Sequence, residues 1–136
     1  MRVIVCIEDR GGMTFNNRRV SRDRAVISDI LESIKGERFL AEEYSKILFS
    51  EFSCDIKFSD SPLSEAEKND TCFVERESLL PYADKINSLT IYRWNRRYPF
   101  DKSLDVTPEG LGLRLLETRE LEGYSHEKIT KETYGK

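Results

Sequence analysis

The run Arg2 to Glu8 (RVIVCIE) constrains the fold more than any other stretch. It is a short apolar run rich in β-branched residues, which reads as a buried central strand. Glu8-Asp9-Arg10-Gly11-Gly12 then breaks it with turn chemistry. Whatever else the chain does, it must build a sheet around this strand and cover it.

The rest of the chain supplies the partners. Met13 to Val20 is expected to be a loop carrying Phe15, Asn16 and Asn17. A helix follows, with Ser21 as its expected N-cap and Gly36 as a left-handed stop. Ile27, Ile30, Leu31 and Ile34 form its apolar stripe, while Ser28, Asp29, Glu32 and Ser33 lie opposite. Arg38 to Glu42 reads as a strand, Tyr44 to Phe52 as a helix, and Cys54 to Ser59 as a half-buried strand. Asp60 to Asp70 is a polar surface connection with Pro62 in it. Thr71 to Glu75 and Ser88 to Trp94 are further strands, separated by a short helix over Ser78 to Ile86 that contains Pro81. Asn95 to Pro108 is irregular. Leu113 to Leu121 reads as a strand and Gly123-Tyr124-Ser125 as a turn. In His126 to Tyr134, Ile129, Thr130, Thr133 and Tyr134 favour a strand and the many charges an exposed helix; an edge strand is expected. Strands alternating with helices and ending in strands make an α/β pattern with an antiparallel finish.

Size and charge exclude several classes. At 136 residues the chain suits one domain with a real core. Its net charge of -3 argues against a general nucleic-acid or membrane binder. No apolar run approaches the roughly 18 residues a membrane helix needs, and no signal-peptide pattern follows Met1, so a cytosolic protein is expected. Cys6, Cys54 and Cys72 have no close spacing and are expected to be reduced core thiols. With His126 the only histidine, zinc chemistry has too few ligands.

Asp23 is the residue of most interest. At about 100° per residue, it shares a sector with Ile27, Ile30 and Ile34. It is either a first-turn acid complementing the helix dipole or a partly buried carboxylate at the mouth of a cleft. Seven of the thirteen arginines fall in two segments: Arg18, Arg19, Arg22 and Arg24, then Arg93, Arg96 and Arg97. Tyr92, Trp94 and Tyr98 interleave the second. Guanidinium groups beside aromatic faces suit a phosphate or a planar ring; a solvated basic patch, with an Asp23–Arg93 pair, is the plainer alternative. Gly123-Tyr124-Ser125-His126 offers an imidazole able to relay a proton, with no third group identifiable to orient it. Glu8 and Asp9 at the end of the first strand could serve as acids, although strand-end acids commonly just pair with loop amides or lysines.

The order of elements resembles dihydrofolate reductase. That family opens on a central strand, then a Gly-Met loop, then a helix whose first turn carries a substrate-binding acid. The corresponding residues here are Val3 to Ile7, Gly12-Met13 and Asp23. Leu80-Pro81 resembles the family's Leu-Pro, and Ser88 to Trp94 would lie beside the first strand. The resemblance implies a three-layer α/β fold with a mixed, mostly parallel sheet and a C-terminal antiparallel hairpin. Where the family has a glycine pair approaching the cofactor's phosphates, this chain has Glu75-Arg76-Glu77. The stretches GMTFNNRRVSRD, YRWNRRYP and GYSHEKITKE also resemble small bacterial proteins often labelled ribonuclease Z, whose zinc chemistry needs several histidines.

The expected function is binding of a small planar or phosphorylated, nucleotide- or pterin-like ligand without redox turnover. Asp23, Arg18, Arg19, Arg22, Tyr92, Arg93, Trp94, Arg96 and Tyr98 would form the site, with Asp23 and His126 as candidate catalytic groups. No metal or cofactor is expected. The alternatives are an NADPH-dependent reductase, an immunity or antitoxin module with a protein partner, and a single-stranded RNA binder.

Overall fold

In the computed structural model, which describes residues 1–136, β1 (Arg2–Ile7) is the central strand the sequence predicts. Its period of two feeds both faces of the sheet. Val3, Val5 and Ile7 enter one core, and Ile4 with Cys6 enters the other. β6 (Thr71–Phe73) and β7 (Ser88–Arg93) flank it, both parallel to it. β4 (Phe39–Glu42) and β5 (Lys57–Ser59) continue the parallel part beyond β6. On the other side β10 (Ile129–Gly135) runs antiparallel to β7 and pairs with β9 (Arg114–Leu121). The order is therefore β5-β4-β6-β1-β7-β10-β9, mostly parallel with an antiparallel C-terminal hairpin.

Two layers cover this sheet. On one face α1 (Arg24–Ser33) buries Val26, Ile27 and Ile30 against Ile4, Phe39, Phe73 and Tyr92. A ten-residue helix is marginal alone in water, and each such side chain contributes roughly 1.5–3 kcal/mol when buried. Packing, more than propensity, holds α1 in place. The opposite face is covered by Leu63 of α3 (Pro62–Glu65), by Leu79 and Ile86 around the 3-10 turn Leu80–Lys85, and by Leu113.

Several expectations are corrected. Met13 to Val20 is not a plain loop. β2 (Gly12–Phe15) and β3 (Arg18–Arg19) form a hairpin whose two-residue turn, Asn16-Asn17, has φ of 50° and 63°. Asparagine tolerates the left-handed region that this tight turn requires. β2 also pairs with β8 (Lys102–Ser103), inside the stretch expected to be irregular. The N-cap of α1 is Asp23, not Ser21, and Gly36 (φ 82°) lies two residues beyond the C-cap Ile34. The Tyr44 to Phe52 helix shrinks to a 3-10 turn, Glu43–Ser45, and one turn of α2 (Lys46–Phe49). Cys54 is exposed and not a core thiol; Cys6 is half-buried and Cys72 buried, where burial pushes the Cys72 thiol up to about 12. The last strand is internal, and β9 is the edge. The charged residues of β10 are matched across the sheet: Lys131 reaches Asp29 at 2.8 Å and Glu132 binds Arg93 at 2.6 Å. Asp29, placed by helical phase on the outer side, thus receives Lys131, Arg119 and the Tyr92 hydroxyl. No helix is long and apolar enough to cross a membrane.

Ile30 is fully buried between α1 and the sheet. Ile30→Ala should cost about 2–5 kcal/mol, read as a lower urea midpoint with an unchanged denaturant slope.

Candidate functional site

The C-terminal ends of β1, β6 and β7 open beside the start of α1. Asp23 sits there in extended geometry (φ -156°, ψ 133°), its carbonyl already accepting from Val26 and Ile27 amides. Its side chain is buried. Oδ1 accepts from the amides of Ala25 (2.9 Å) and Tyr124 (3.0 Å). Oδ2 accepts from the Ser125 amide (2.9 Å) and hydroxyl (3.1 Å), and lies 2.9 Å from His126 Nδ1. A carboxylate offers about four lone-pair directions, and these are taken. Asp23 therefore faces inward as expected, but its oxygens are spent on the protein itself. Burial alone would raise its pKa. The bonds from His126, Tyr124, Ala25 and Ser125 outweigh that and hold it well below the ordinary aspartate range.

His126 is 3% exposed. With Nδ1 facing a carboxylate, Nδ1 carries a proton and donates it to Asp23. Nε2 then faces two hydroxyls, Ser21 Oγ at 2.8 Å and Tyr98 at 3.0 Å. The indole of Trp94 stacks on the imidazole, centroids 4.7 Å apart at 26°. The orienting third group missing from the sequence reading is thus Asp23, 103 residues upstream. Ser125 lies on the Nδ1 side (3.1 Å), so the serine on the cleft side of the ring is Ser21.

Gly123 makes the arrangement fit. A Cβ there would stand 2.7 Å from Asp23 Oδ2 and 2.5 Å from the His126 carbonyl oxygen.

Ser21, Arg22, Asp23 and Trp94 line a cleft whose walls are Met13, Val26, Ile27, Leu48, Phe73 and Val74, with Cys6. The cleft is narrow. About 20 Å³ is open to the centre of a water molecule, room for roughly one. Arg22 is exposed at its mouth and makes no ion pair. Arg19 also borders it, but its guanidinium is bound bidentately by Glu75 (2.7 and 3.0 Å), which also takes the Ser45 hydroxyl. Arg18 is exposed on the β2–β3 hairpin, near Tyr98 and Pro99.

The remaining expected site residues lie apart. Arg93 is held by Glu132, so the Asp23–Arg93 pair does not form. The Tyr92 hydroxyl donates to Asp29 at 2.6 Å. Arg96 is exposed in a separate depression with Asn95 and Lys128. Glu8 is a loop anchor: fully buried, it accepts from the Arg10 and Gly12 amides. Burial opposes its charge, and these amides still hold its pKa below the usual range.

The sequence does not single out Glu42 or Ser45, and it marks Glu75 only as part of the Glu75-Arg76-Glu77 departure. Glu42 stands at the end of β4, and its carboxylate accepts from three successive amides, Glu75, Arg76 and Glu77. Such a run of N–H groups is an anion cradle. Burial raises the Glu42 pKa even though the amides pull it down. No local pattern marks such a strand-end glutamate.

No family model matches the chain, and no curated protein matches its sequence. Among solved structures it is similar to dihydrofolate reductase from Enterococcus faecalis, complexed with NADP(H) and RAB-propyl. The two share 9% identity with a TM-score of 0.64, over 98% of this chain and 94% of that one. The fold is dihydrofolate reductase-like. At that identity the likeness carries the fold alone. None of the comparisons bears on the ribonuclease Z resemblance, and no group of three or more His, Cys, Asp or Glu is placed to hold a metal ion.

The residues here do not fit a pyridine nucleotide held as the resemblance to dihydrofolate reductase would imply. The amides of Glu75-Arg76-Glu77, where phosphate-approaching glycines would stand, are covered by the Glu42 carboxylate. A phosphate would have to displace a buried anion and pass bulky, mostly acidic side chains.

Two outcomes are expected from this geometry. Asp23 has its pKa depressed on folding, so its stabilisation is present above the unfolded value of 3.8 and is lost as pH falls below it. Asp23→Asn should cost about 3 kcal/mol at neutral pH and flatten the fall in urea stability between about pH 4 and pH 2. Gly123→Ala should cost roughly 1–3 kcal/mol and shift Trp94 emission, because the Trp94–His126 stack depends on this turn.

Proposed function

We infer that the chain binds a small planar or phosphorylated ligand, nucleotide- or pterin-like in chemistry, in the cleft beside α1, without redox turnover. The observation that carries this reading is the cleft itself. It lies at the carboxyl ends of parallel strands, the usual ligand position in open α/β sheets, with apolar walls and few polar groups.

The roles differ from those the resemblance implies. A ring N–H cannot be received by Asp23, whose lone pairs are occupied. Ser21 supplies a hydroxyl instead, with Trp94 and the aliphatic wall for the ligand's body, while Tyr98 stands behind Ser21 in the neighbouring depression. Arg22, the unpaired cation, takes its anionic end. Arg18 and Arg19 border the entrance, while Tyr92, Arg93 and Arg96 stand outside the set. Because the cleft holds about one water, a ring of pterin size enters only as side chains or the β2–β3 hairpin draw back. Absence of redox turnover is supported by the occupied amide cradle of Glu42.

Trp94 is the one tryptophan and it lines the cleft, so its emission reports occupancy without a label. Titration with benzoate, AMP and dihydrofolate should give a saturable change for at least one of them. Arg22→Ala should weaken that binding about tenfold, and Arg93→Ala should leave it unchanged. No saturable response to any of the three would overturn the reading.

A further inference from the structure

We propose that Ser21, His126 and Asp23 form a nucleophilic relay that cleaves short-chain carboxylic esters in this cleft. The three side chains meet in line: Asp23 Oδ2 to His126 Nδ1 at 2.9 Å, then His126 Nε2 to Ser21 Oγ at 2.8 Å. The imidazole and the carboxylate are buried, while Ser21 is half-buried and lines the cleft. This is the arrangement of roles that identifies a serine nucleophile: a hydroxyl, a base within hydrogen-bond reach, and an acid fixing the tautomer.

The inference rests on the cleft being a ligand site, and adds a reaction to it. Ser21 Oγ attacks the ester carbonyl carbon while its proton passes to His126 Nε2. The tetrahedral intermediate collapses, the carbon–oxygen bond to the alcohol breaks, and His126 returns the proton to the leaving alkoxide. Water then attacks the acyl-Ser21, giving its proton to Nε2, and Ser21 leaves reprotonated. The sum is ester and water to acid and alcohol. Asp23 is a positioning residue, holding the proton on Nδ1 so that Nε2 is free to accept. The Tyr98 hydroxyl, 3.3 Å from Ser21 Oγ, and the unpaired Arg22 are the donors at hand for the developing oxyanion. The narrow apolar wall of Val26, Ile27 and Leu48 selects a short acyl chain.

The test uses a fluorophosphonate, which forms a covalent adduct with an activated serine hydroxyl, and p-nitrophenyl acetate, butyrate and decanoate. Intact-protein and peptide mass spectra should show one adduct on Ser21, absent in Ser21→Ala and slowed on the order of 100-fold or more in His126→Gln. Acetate and butyrate should be hydrolysed, decanoate far less. Tyr98→Phe should still be labelled on Ser21, which excludes a tyrosine adduct. Labelling no greater than in Ser21→Ala, or an adduct elsewhere, would overturn the proposal. The Trp94 titration of the unmodified protein separates the two readings. A saturable response with no labelling ends the ester chemistry and leaves binding standing; loss of both ends both.

Discussion

The Asp23 carboxylate is the junction on which the rest of the cleft depends. Its five donors come from the first turn of α1 and from the 124–126 turn, more than 100 residues away in sequence. An ionised carboxyl moved out of water costs several kcal/mol unless its lone pairs are met. Here they are met in full, so one anion starts the helix, fixes the turn and orients the imidazole. The negative charge also lies at the positive end of α1. The plain reading of a dipole-complementing acid and the sharper reading of a buried cleft acid are therefore both true of the same side chain.

Two other internal carboxylates take positions where an exogenous anion would otherwise be drawn. Glu42 occupies the amide cradle after β6, and Glu75 occupies the fork of Arg19. Tyr44 ties these together: its ring lies 4.4 Å from the guanidinium carbons of both Arg19 and Arg76, and its hydroxyl accepts from the Arg19 amide. The amides after β6 and the Arg19 guanidinium are thus neutralised from within, and Arg22 is left as the cation at the cleft. The frame is that of a dihydrofolate reductase-like protein, with its electrostatics rearranged around one short opening.

How much of this the sequence discloses follows from how local each signal is. β1 and β7 are legible because a run such as RVIVCI or SLTIYR can be satisfied only in a covered sheet. The inward phase of Asp23 is legible for the same reason, through Ile27 and Ile30. What Asp23 does there is not, because four of its five donors come from residues 124–126 and no spacing rule connects them. His126 has no partner in the sequence, since Ser21 and Asp23 lie more than 100 residues away and reach its ring only in the folded chain. The charges of β10 misled in the other direction. Charges such as Lys131 and Glu132 favour an exposed helix in the sequence, yet each meets an opposite charge within the sheet, at Asp29 and Arg93. The Asn16-Asn17 turn was readable in principle, as a two-residue asparagine pair between strands.

Ser21 decides what kind of network this is. If the cluster served only to anchor the C-terminal turn, Asp23, the two backbone amides and His126 Nδ1 would complete it. The imidazole could then present Nε2 to bulk water or to a carbonyl. Instead Nε2 meets Ser21, which lines the cleft, and the Tyr98 hydroxyl, and both side chains are half-buried. Ser21 has been released from the capping role its position suggests, because Asp23 caps the helix in its place. A hydroxyl freed from structural duty lies 2.8 Å from a base whose tautomer is fixed from behind, nearer than the 3.3 Å to the Tyr98 hydroxyl. That asymmetry, with one ring nitrogen fixing the turn and the other facing the cleft, is what separates a relay from a clamp.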